Sequence, residues 1–498
     1  MPIVSGKLKV SLVNLWVSES NTPHFGLISL AAFIRREFSN IEVSIIEGVN
    51  PLNEIINQNA DIIGLTADTI IFTKTVQLAK EIKKRSKAAL IIGGVHITAM
   101  PESLDSVFDV GVLGEGEITF SELLKIFLEH GRFPKQGLRS IKGVVFYDEN
   151  EIVKVGRREL KKNIDDLPYP ARDLTPMKEK YLKNQINLFG IKRIVSIMTS
   201  RGCPYQCIFC GSPVQWGTVR FHTPTYVIGE IKFLLENYNI DGIMFWDDLF
   251  IAPKKKLIEF VELIKKEGLD KKLIFFGYAR ANLIDEEVCQ LLKSIRVKRL
   301  IFGFESGSKR VLSYLKGHSV TIADNQRAAR LCRKYGITTS SGFITGIPGE
   351  SLEELKETYE FIRDNPLDNT HIYILTPYPG TEIWETAKSM GLVSAHMDFG
   401  RLFCQLQGLS FFDFFKKNKQ GFINGRIFLN PDYESNDDYI SLIFKMQKLA
   451  YLRNFIFYLK MLCFDPGIII RIIELNIKNI YLKTINLVRN HLCLAKTF

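Results

Sequence analysis

The sequence predicts an α/β chain in four parts. These are a doubly wound, Rossmann-like domain over residues 1–140, a hairpin and linker over 141–188, a partial (β/α)6 TIM-type barrel over 189–393, and a small, mostly helical domain over 394–498. Two runs of alternating strand and helix patterns, parted by a proline-rich link, carry this reading, and an aromatic, non-alternating end marks the last part. The chain has 498 residues, enough for about three domains. Its 46% hydrophobic and 24% charged residues are those of a globular protein and exclude disordered and collagen-like classes.

In the first run the strands are Lys9–Val17, Ile41–Glu47, Asp61–Thr66, Ala89–Gly93 and Val110–Leu113. Helical windows such as Phe25–Arg36, Thr73–Lys84 and Ile118–His130 follow them. This is the pattern of a parallel sheet covered on both faces, whose ligands bind at the carboxyl ends of the strands. Those ends are glycine-rich: Gly93-Gly94-Val95-His96 and Gly114-Glu115-Gly116-Glu117. They read either as ordinary tight turns or as places where a ligand approaches the backbone. Residues 141–155 form a hairpin around Asp148-Glu149-Asn150, and Asp165-Asp166-Leu167-Pro168-Tyr169-Pro170 is a stiff linker. The second run has six strands, Ile194–Thr199, Gly242–Trp246, Leu273–Tyr278, Arg299–Phe304, Ser340–Ile347 and Thr370–Leu375, each with a helix behind it.

No secretory leader is expected from the first residues, and no window reaches 18 uncharged apolar residues, so a transmembrane span is not expected either. The net charge is +11, and residues 391–498 hold 14 Lys or Arg against 8 Asp or Glu. That excess is too diffuse to mark a nucleic-acid partner, but it favours an anionic or membrane surface at that end. Eight cysteines are too few for a disulfide scaffold. None precedes Cys203 and three fall within eight positions, a metal signal in a reducing, cytoplasmic setting.

Those three stand in Arg201-Gly202-Cys203-Pro204-Tyr205-Gln206-Cys207-Ile208-Phe209-Cys210. Spacings of x3 and x2 present three thiolates from one loop, which suits zinc or an iron–sulfur cluster. A structural zinc needs a fourth ligand, and His222 is the nearby imidazole. A four-iron cluster needs none, leaving one iron open. The loop follows the first strand of the second run, where barrel active sites lie, and this favours the cluster.

The loop, with Phe209 and its strand-end position, resembles that of the radical S-adenosylmethionine (SAM) superfamily. The resemblance implies a 4Fe–4S cluster on Cys203, Cys207 and Cys210. Its open iron chelates SAM, and the cleavage of SAM gives a 5′-deoxyadenosyl radical. Later strand ends agree in order. Asp247 and Asp248 are implied as contacts to the SAM ammonium, with a helix N-cap as their plainer reading. Phe209 is implied as a further SAM-binding residue, Arg280 as the partner of the SAM carboxylate, Glu305 and Ser306 as ribose and carboxylate contacts, and Gly346 as part of an adenine shelf.

The glycine loops of the first run, with Thr66 in Gly64-Leu65-Thr66-Ala67-Asp68-Thr69, resemble the cobalamin-binding domain of cobalamin-dependent radical SAM proteins. The resemblance covers roughly the first 390 residues and implies that Thr66, Gly93, Gly94, Gly114, Glu115 and Gly116 line a cobalamin site. The Asp-x-His-x-x-Gly motif is absent, so His24 and His96 are expected to be loop or packing residues. Methylthiotransferases acting on tRNA carry three further cysteines in the N-terminal domain; here none precedes Cys203, and no nucleic-acid partner is expected. Cys289, Cys332, Cys404, Cys463 and Cys493 are expected mostly in packing, with one near the site as a possible hydrogen donor. The implied activity is C-methylation of an unactivated carbon in a small-molecule or lipid-like substrate, with a flavodoxin or ferredoxin as reductant. The alternatives are a radical oxidative cyclase or rearranging enzyme resembling the tetrapyrrole cyclases and, from another class, a non-catalytic cobalamin or iron–sulfur sensor. Phe411–Lys417 and Tyr451–Lys460 mix aromatic with basic residues, which reads as a helical cap packed on the barrel or, more sharply, as a hydrophobic substrate pocket or peripheral membrane contact for a lipid.

Overall fold

The computed structural model describes residues 7–15, 22–182, 189–191, 193–251, 253–402 and 427–461. Its first sheet comprises β1 (Leu8–Leu15), β2 (Ile41–Gly48), β3 (Ile62–Thr66), β4 (Ala89–Gly93), β5 (Val110–Val112), β6 (Val144–Asp148) and β7 (Glu151–Lys154). The spatial order is β2-β1-β3-β4-β5-β6-β7, and β1 to β5 run parallel. The central strands, such as Ile62-Ile63-Gly64-Leu65-Thr66, are buried on both faces, which explains why they are continuously apolar. The order reverses between β1 and β3, opening a crevice at the carboxyl ends there. The hairpin β6–β7 was expected in the linker. Instead β6 pairs antiparallel with β5, because Val144–Phe146 are wholly buried and complete the sheet's edge.

After the linker come β8 (Ile194–Ile197), then a two-stranded ribbon of β9 (Ser200–Arg201) and β10 (Arg220–Phe221). The second sheet continues with β11 (Gly242–Phe245), β12 (Ile274–Ala279), β13 (Val297–Glu305), β14 (Thr338–Thr345) and β15 (Asn369–Ile374). All six of its strands are parallel and lie in chain order, an open six-stranded barrel wall with β8 and β15 at its edges. The outer helices are sharply capped. Thr223, Asp285, Thr321, Ser351 and Thr381 each accept a backbone N–H from the first helical turn, and Thr321 and Ser351 close capping boxes with Asp324 and Glu354.

The edge strand β15 is covered by the helix Asp437–Met461. Asn454 accepts from the Thr370 N–H at 2.8 Å and donates to its carbonyl at 3.0 Å, so it stands in for a neighbouring strand. Arg453 donates to the carbonyls of Ile362, Arg363, Asn365 and Leu367, which closes the end of the helix Leu352–Asp364. The segment before it does not belong to this helical part alone, since Phe399 packs on Phe72 and His96 of the first half.

The two halves share an apolar cluster in which Ile92, Ile97 and Leu104 meet Leu315, Ile344, Ile347 and Leu375. A buried ion cluster joins them as well. Arg201 donates to Glu117 at 2.6 Å and lies 3.3 Å from Glu115, while Arg220 forks onto both oxygens of Glu115 at 2.5 and 3.1 Å. All four side chains are 8–12% exposed. In the linker, Arg172 is buried against Glu230 at 2.7 Å and the carbonyl of Ser196 at 3.0 Å. Removing one partner of a buried pair strands the other charge without water. Glu117→Ala is therefore expected to destabilise the protein by about 3 kcal/mol in urea unfolding. Glu102→Ala, which breaks the exposed pair with Lys154 at 3.2 Å, should change stability by less than about 1 kcal/mol.

Candidate active site

The cysteine loop leaves β9 through Gly202, whose φ is +90°. A Cβ there would sit 2.9 Å from the Thr218 carbonyl oxygen, so only glycine turns the chain at this point. The loop is fastened to the barrel by backbone bonds, from the Ile208 N–H to the Leu315 carbonyl at 3.2 Å and from the Ile383 N–H to the Ile208 carbonyl at 3.3 Å. Cys203, Cys207 and Cys210 are half-buried and reduced, and Phe209 packs into the shared apolar cluster. Burial pushes the Cys203 thiol up and the Cys210 thiol up to about 11. Taking these thiols to thiolates is thus linked to cluster binding, which releases their protons.

The zinc reading fails on His222, whose Nδ1 lies 2.8 Å from Asp165 and whose ring is stacked on Tyr226 at 4.0 Å. Among the described residues no three Cys, His, Asp or Glu converge on one ion. Three thiolates that each take a different iron need no such point.

A cavity of about 870 Å³ lies between the cysteine loop and the carboxyl ends of β1, β3, β4 and β5. Thr66, Gly93, Gly94, Gly114, Glu115 and Gly116 all line it, facing Cys210, Ser212, Trp246, Asp248 and Tyr378. The glycines make a smooth floor. A Cβ on Gly114 would meet nothing within 4 Å, and one on Gly93 or Gly116 would meet its first neighbour only at 3.9 Å. Gly94 serves a different need, because at φ +102° its Cβ would strike the Ala67 carbonyl oxygen at 2.6 Å. Val95, Trp246 and Tyr378 expose large apolar surfaces to the cavity. A flat floor open to the backbone, with apolar walls, fits a broad macrocycle. Glu115 lines the cavity, but although burial opposes it, Arg220 and Arg201 hold its carboxyl below the usual range, and its oxygens are engaged there.

His96 is a packing residue as expected, fully buried between Phe72 and Phe399, with its ring nitrogens on Thr69 and Ser103. His24 does more. It is the N-cap of the helix Phe25–Glu37, its Nδ1 accepts from the Leu27 N–H at 3.3 Å, and it lines the cavity. Burial lowers its pKa to about 4, which keeps it neutral.

The residues implied for SAM divide. Asp248 faces the cavity and accepts from Ser212 Oγ at 2.5 Å. Asp247 does not line it. Its carboxylate accepts four hydrogen bonds, from the N–H and hydroxyl of both Thr199 and Ser200, at 2.6–3.0 Å. Neither aspartate caps a helix, for the next one begins at Lys254 behind Pro253. Arg280 donates to the Cys207 sulfur at 3.3 Å. Glu305, at φ +64°, pairs with Lys316 at 3.0 Å, and Ser306 is enclosed with Thr358 at 2.9 Å. The Gly346 N–H is taken by Glu350 and Tyr433 at 3.0 and 2.9 Å. In this structure these groups shape the loops rather than front the cavity, because buried polar atoms must be satisfied. Sequence reading missed Arg201, Arg220, Trp246 and Tyr378 and did not place His24 at the cavity, and only the position of Arg201 beside Gly202-Cys203 hinted at a role. Cys289 and Cys332 are buried in the core as expected, while Cys404, Cys463 and Cys493 lie outside the described residues, as does Phe411–Lys417.

The sequence model of the radical SAM superfamily matches residues 197–362, and that of the B12 binding domain matches residues 12–124. An uncharacterized methyltransferase of Pyrococcus horikoshii is 34% identical over 383 residues, 74% of this chain and 80% of that protein. This chain belongs to the cobalamin-binding radical SAM family. The family's cofactors are the 4Fe–4S cluster, SAM and cobalamin, so the radical SAM reading stands, and the methyltransferase relative makes the chain an enzyme rather than a sensor. Similarity extends to the anaerobic magnesium-protoporphyrin IX monomethyl ester cyclase of Rubrivivax gelatinosus, at 29% identity over 65% of this chain and 58% of the cyclase. The radical SAM methyltransferase TsrM of Kitasatospora setae, solved with cobalamin and a 4Fe–4S cluster, shares the fold. Its TM-score is 0.62 at 21% identity, over 77% of this chain and 75% of that one.

Asp247 offers a test of this site's construction. Burial raises its pKa from 3.8 to about 6, so the folded protein holds the proton more tightly than the unfolded chain. That contribution is fully present below the unfolded value and is lost as pH rises through about 6. Asn keeps the three bonds accepted at Oδ1 without the charge, and its amide nitrogen would donate to the Thr199 hydroxyl that now donates to Oδ2. Relative to wild type, Asp247→Asn should gain about 2 to 3 kcal/mol in urea unfolding between about pH 4 and pH 7.

Proposed function

We propose that this chain is a cobalamin-dependent radical SAM methyltransferase acting on carbon in a small-molecule or lipid-like substrate. One observation carries the reading: the glycine floor of the first sheet and the cysteine loop of the barrel face each other across a single cavity. Cys203, Cys207 and Cys210 would hold the cluster, and Thr66, Gly93, Gly94, Gly114 and Gly116 would lie beneath the corrin. When bound, the cluster supplies one-electron cleavage of SAM and cobalamin supplies methyl transfer. The chain's own part is to hold the two sites a cavity's width apart, with Asp248 and Ser212 on the SAM side and Trp246 and Tyr378 as apolar walls that shed water. The electron would come from a flavodoxin or ferredoxin.

Oxidative cyclisation is a second reading, favoured by the likeness to the R. gelatinosus cyclase. Anaerobic incubation with reductant and methyl-labelled SAM separates the two. Methyl transfer predicts both 5′-deoxyadenosine and label on cobalamin; 5′-deoxyadenosine without labelled cobalamin moves the assignment to cyclisation, and neither product overturns both.

Among the described residues no helix is long and apolar enough to cross a membrane. The helix Asp437–Met461 nevertheless exposes Leu452, Phe455, Ile456 and Leu459, a stripe at helical spacing. With the basic excess beyond residue 391 it supports peripheral contact with an anionic lipid surface. In liposome flotation the full chain should rise with phosphatidylglycerol vesicles and Phe455→Glu should not. A full chain that stays at the bottom ends the idea.

A further inference from the structure

We propose that Arg280 sets the reduction potential of the cluster by donating a charge-assisted hydrogen bond to the sulfur of Cys207. This rests on the cluster reading of the three cysteines and replaces the role of SAM-carboxylate partner that the family resemblance implies for this arginine.

The guanidinium is held in place on several sides. Nη1 lies 3.3 Å from Cys207 Sγ. Nη2 donates to Ser319 Oγ at 2.7 Å and reaches the Lys316 carbonyl at 3.4 Å. The plane of the group lies over the Tyr205 ring, 3.9 Å from its centroid, and the Tyr205 hydroxyl accepts from Asn282 at 3.3 Å. Nε is buried and makes no hydrogen bond. Arg280 is only 6% exposed and is not among the residues lining the cavity. Its two Nη groups are thus engaged by a cysteine and by the loop after Lys309–Lys316 rather than by the cavity. Among the described residues Arg280, on Cys207, is the one cation bonded to a cysteine sulfur.

The electrostatic sign is fixed by these positions. Reduction adds one electron to the cluster, drawn from the reductant protein, and that charge is shared over the iron and sulfur atoms. A positive N–H donor on a ligating sulfur stabilises the more negative state, so the potential is higher with Arg280 than without it. A rigid fork stacked on Tyr205 does this with little reorganisation. A lysine cannot reproduce both the stack and the directed bond.

The test is a redox titration of the anaerobically reconstituted full chain with dithionite, read by the electron paramagnetic resonance of the reduced cluster, with iron and sulfide counted. Arg280→Gln should shift the midpoint downward by about tenfold in the reduced-to-oxidised ratio at fixed potential, which is 59 mV for one electron. Arg280→Lys should fall in between, and SAM should still perturb the signal of both variants. A fully loaded Arg280→Gln with the wild-type midpoint and no SAM response overturns the inference and restores the carboxylate role. If Arg280→Gln does not assemble a cluster, Arg280→Lys decides, and a wild-type midpoint there overturns the directed bond. Wild-type chain that takes up no iron and sulfide would instead sink the cluster reading itself.

Discussion

The contact on which the site depends is the buried meeting of Arg201 and Arg220 with Glu115 and Glu117. Glu115 stands on the loop after β5 that floors the cavity, and Glu117 in the first turn of the helix Gly116–His130 that follows it. The two arginines stand on the β9–β10 ribbon, and Arg201 is two residues before the first cysteine. The cofactor floor and the cluster loop are thus tied by the same four charges. Ions this enclosed contribute little net stability compared with apolar packing, yet a mispaired arrangement would be costly. Their effect is to fix one registry of the halves, supported by the apolar cluster that runs from Ile92 through to Leu375.

Around that junction, polar groups at the strand ends serve construction before recognition. Asp247 gathers the Thr199-Ser200 turn into the shape from which the cysteine loop departs. Glu305 folds back so far that a Cβ on Gly303 would lie 2.1 Å from its carboxylate, which is why a glycine sits there. Glu350, raised to about 7 by burial, holds the Gly346 turn together with Tyr433. Each is a buried carboxylate that has found a partner in the turn it shapes.

The C-terminal helix takes part in the same economy of hydrogen bonds. Asn430 and Tyr439 both donate to the Glu350 carbonyl, and Asn454 completes the edge of β15. The segment from Asn430 to Met461 is therefore built into the barrel wall, whose sheet among the described residues has β15 as its edge.

Both parallel sheets, the three cysteines and six of the cavity-lining positions of the first half were legible in the sequence. Strands buried on both faces must be apolar throughout, glycines must stand where backbone borders a cavity, and thiolates must cluster to hold iron. Local pattern also located every strand end that the resemblance named. It could not say which way the side chains there point. Asp247 and Asp248 are neighbours of identical chemistry, yet one is enclosed by four donors and the other faces the cavity, because adjacent residues at a strand end project to opposite sides. The partners of Arg280 and Glu115, and the Tyr433 partner of Gly346, come from segments 36 to 105 residues away. Only the packing of the two halves and the return of the C-terminal segment decide those pairings, since a hydrogen bond between distant segments leaves no periodicity in either.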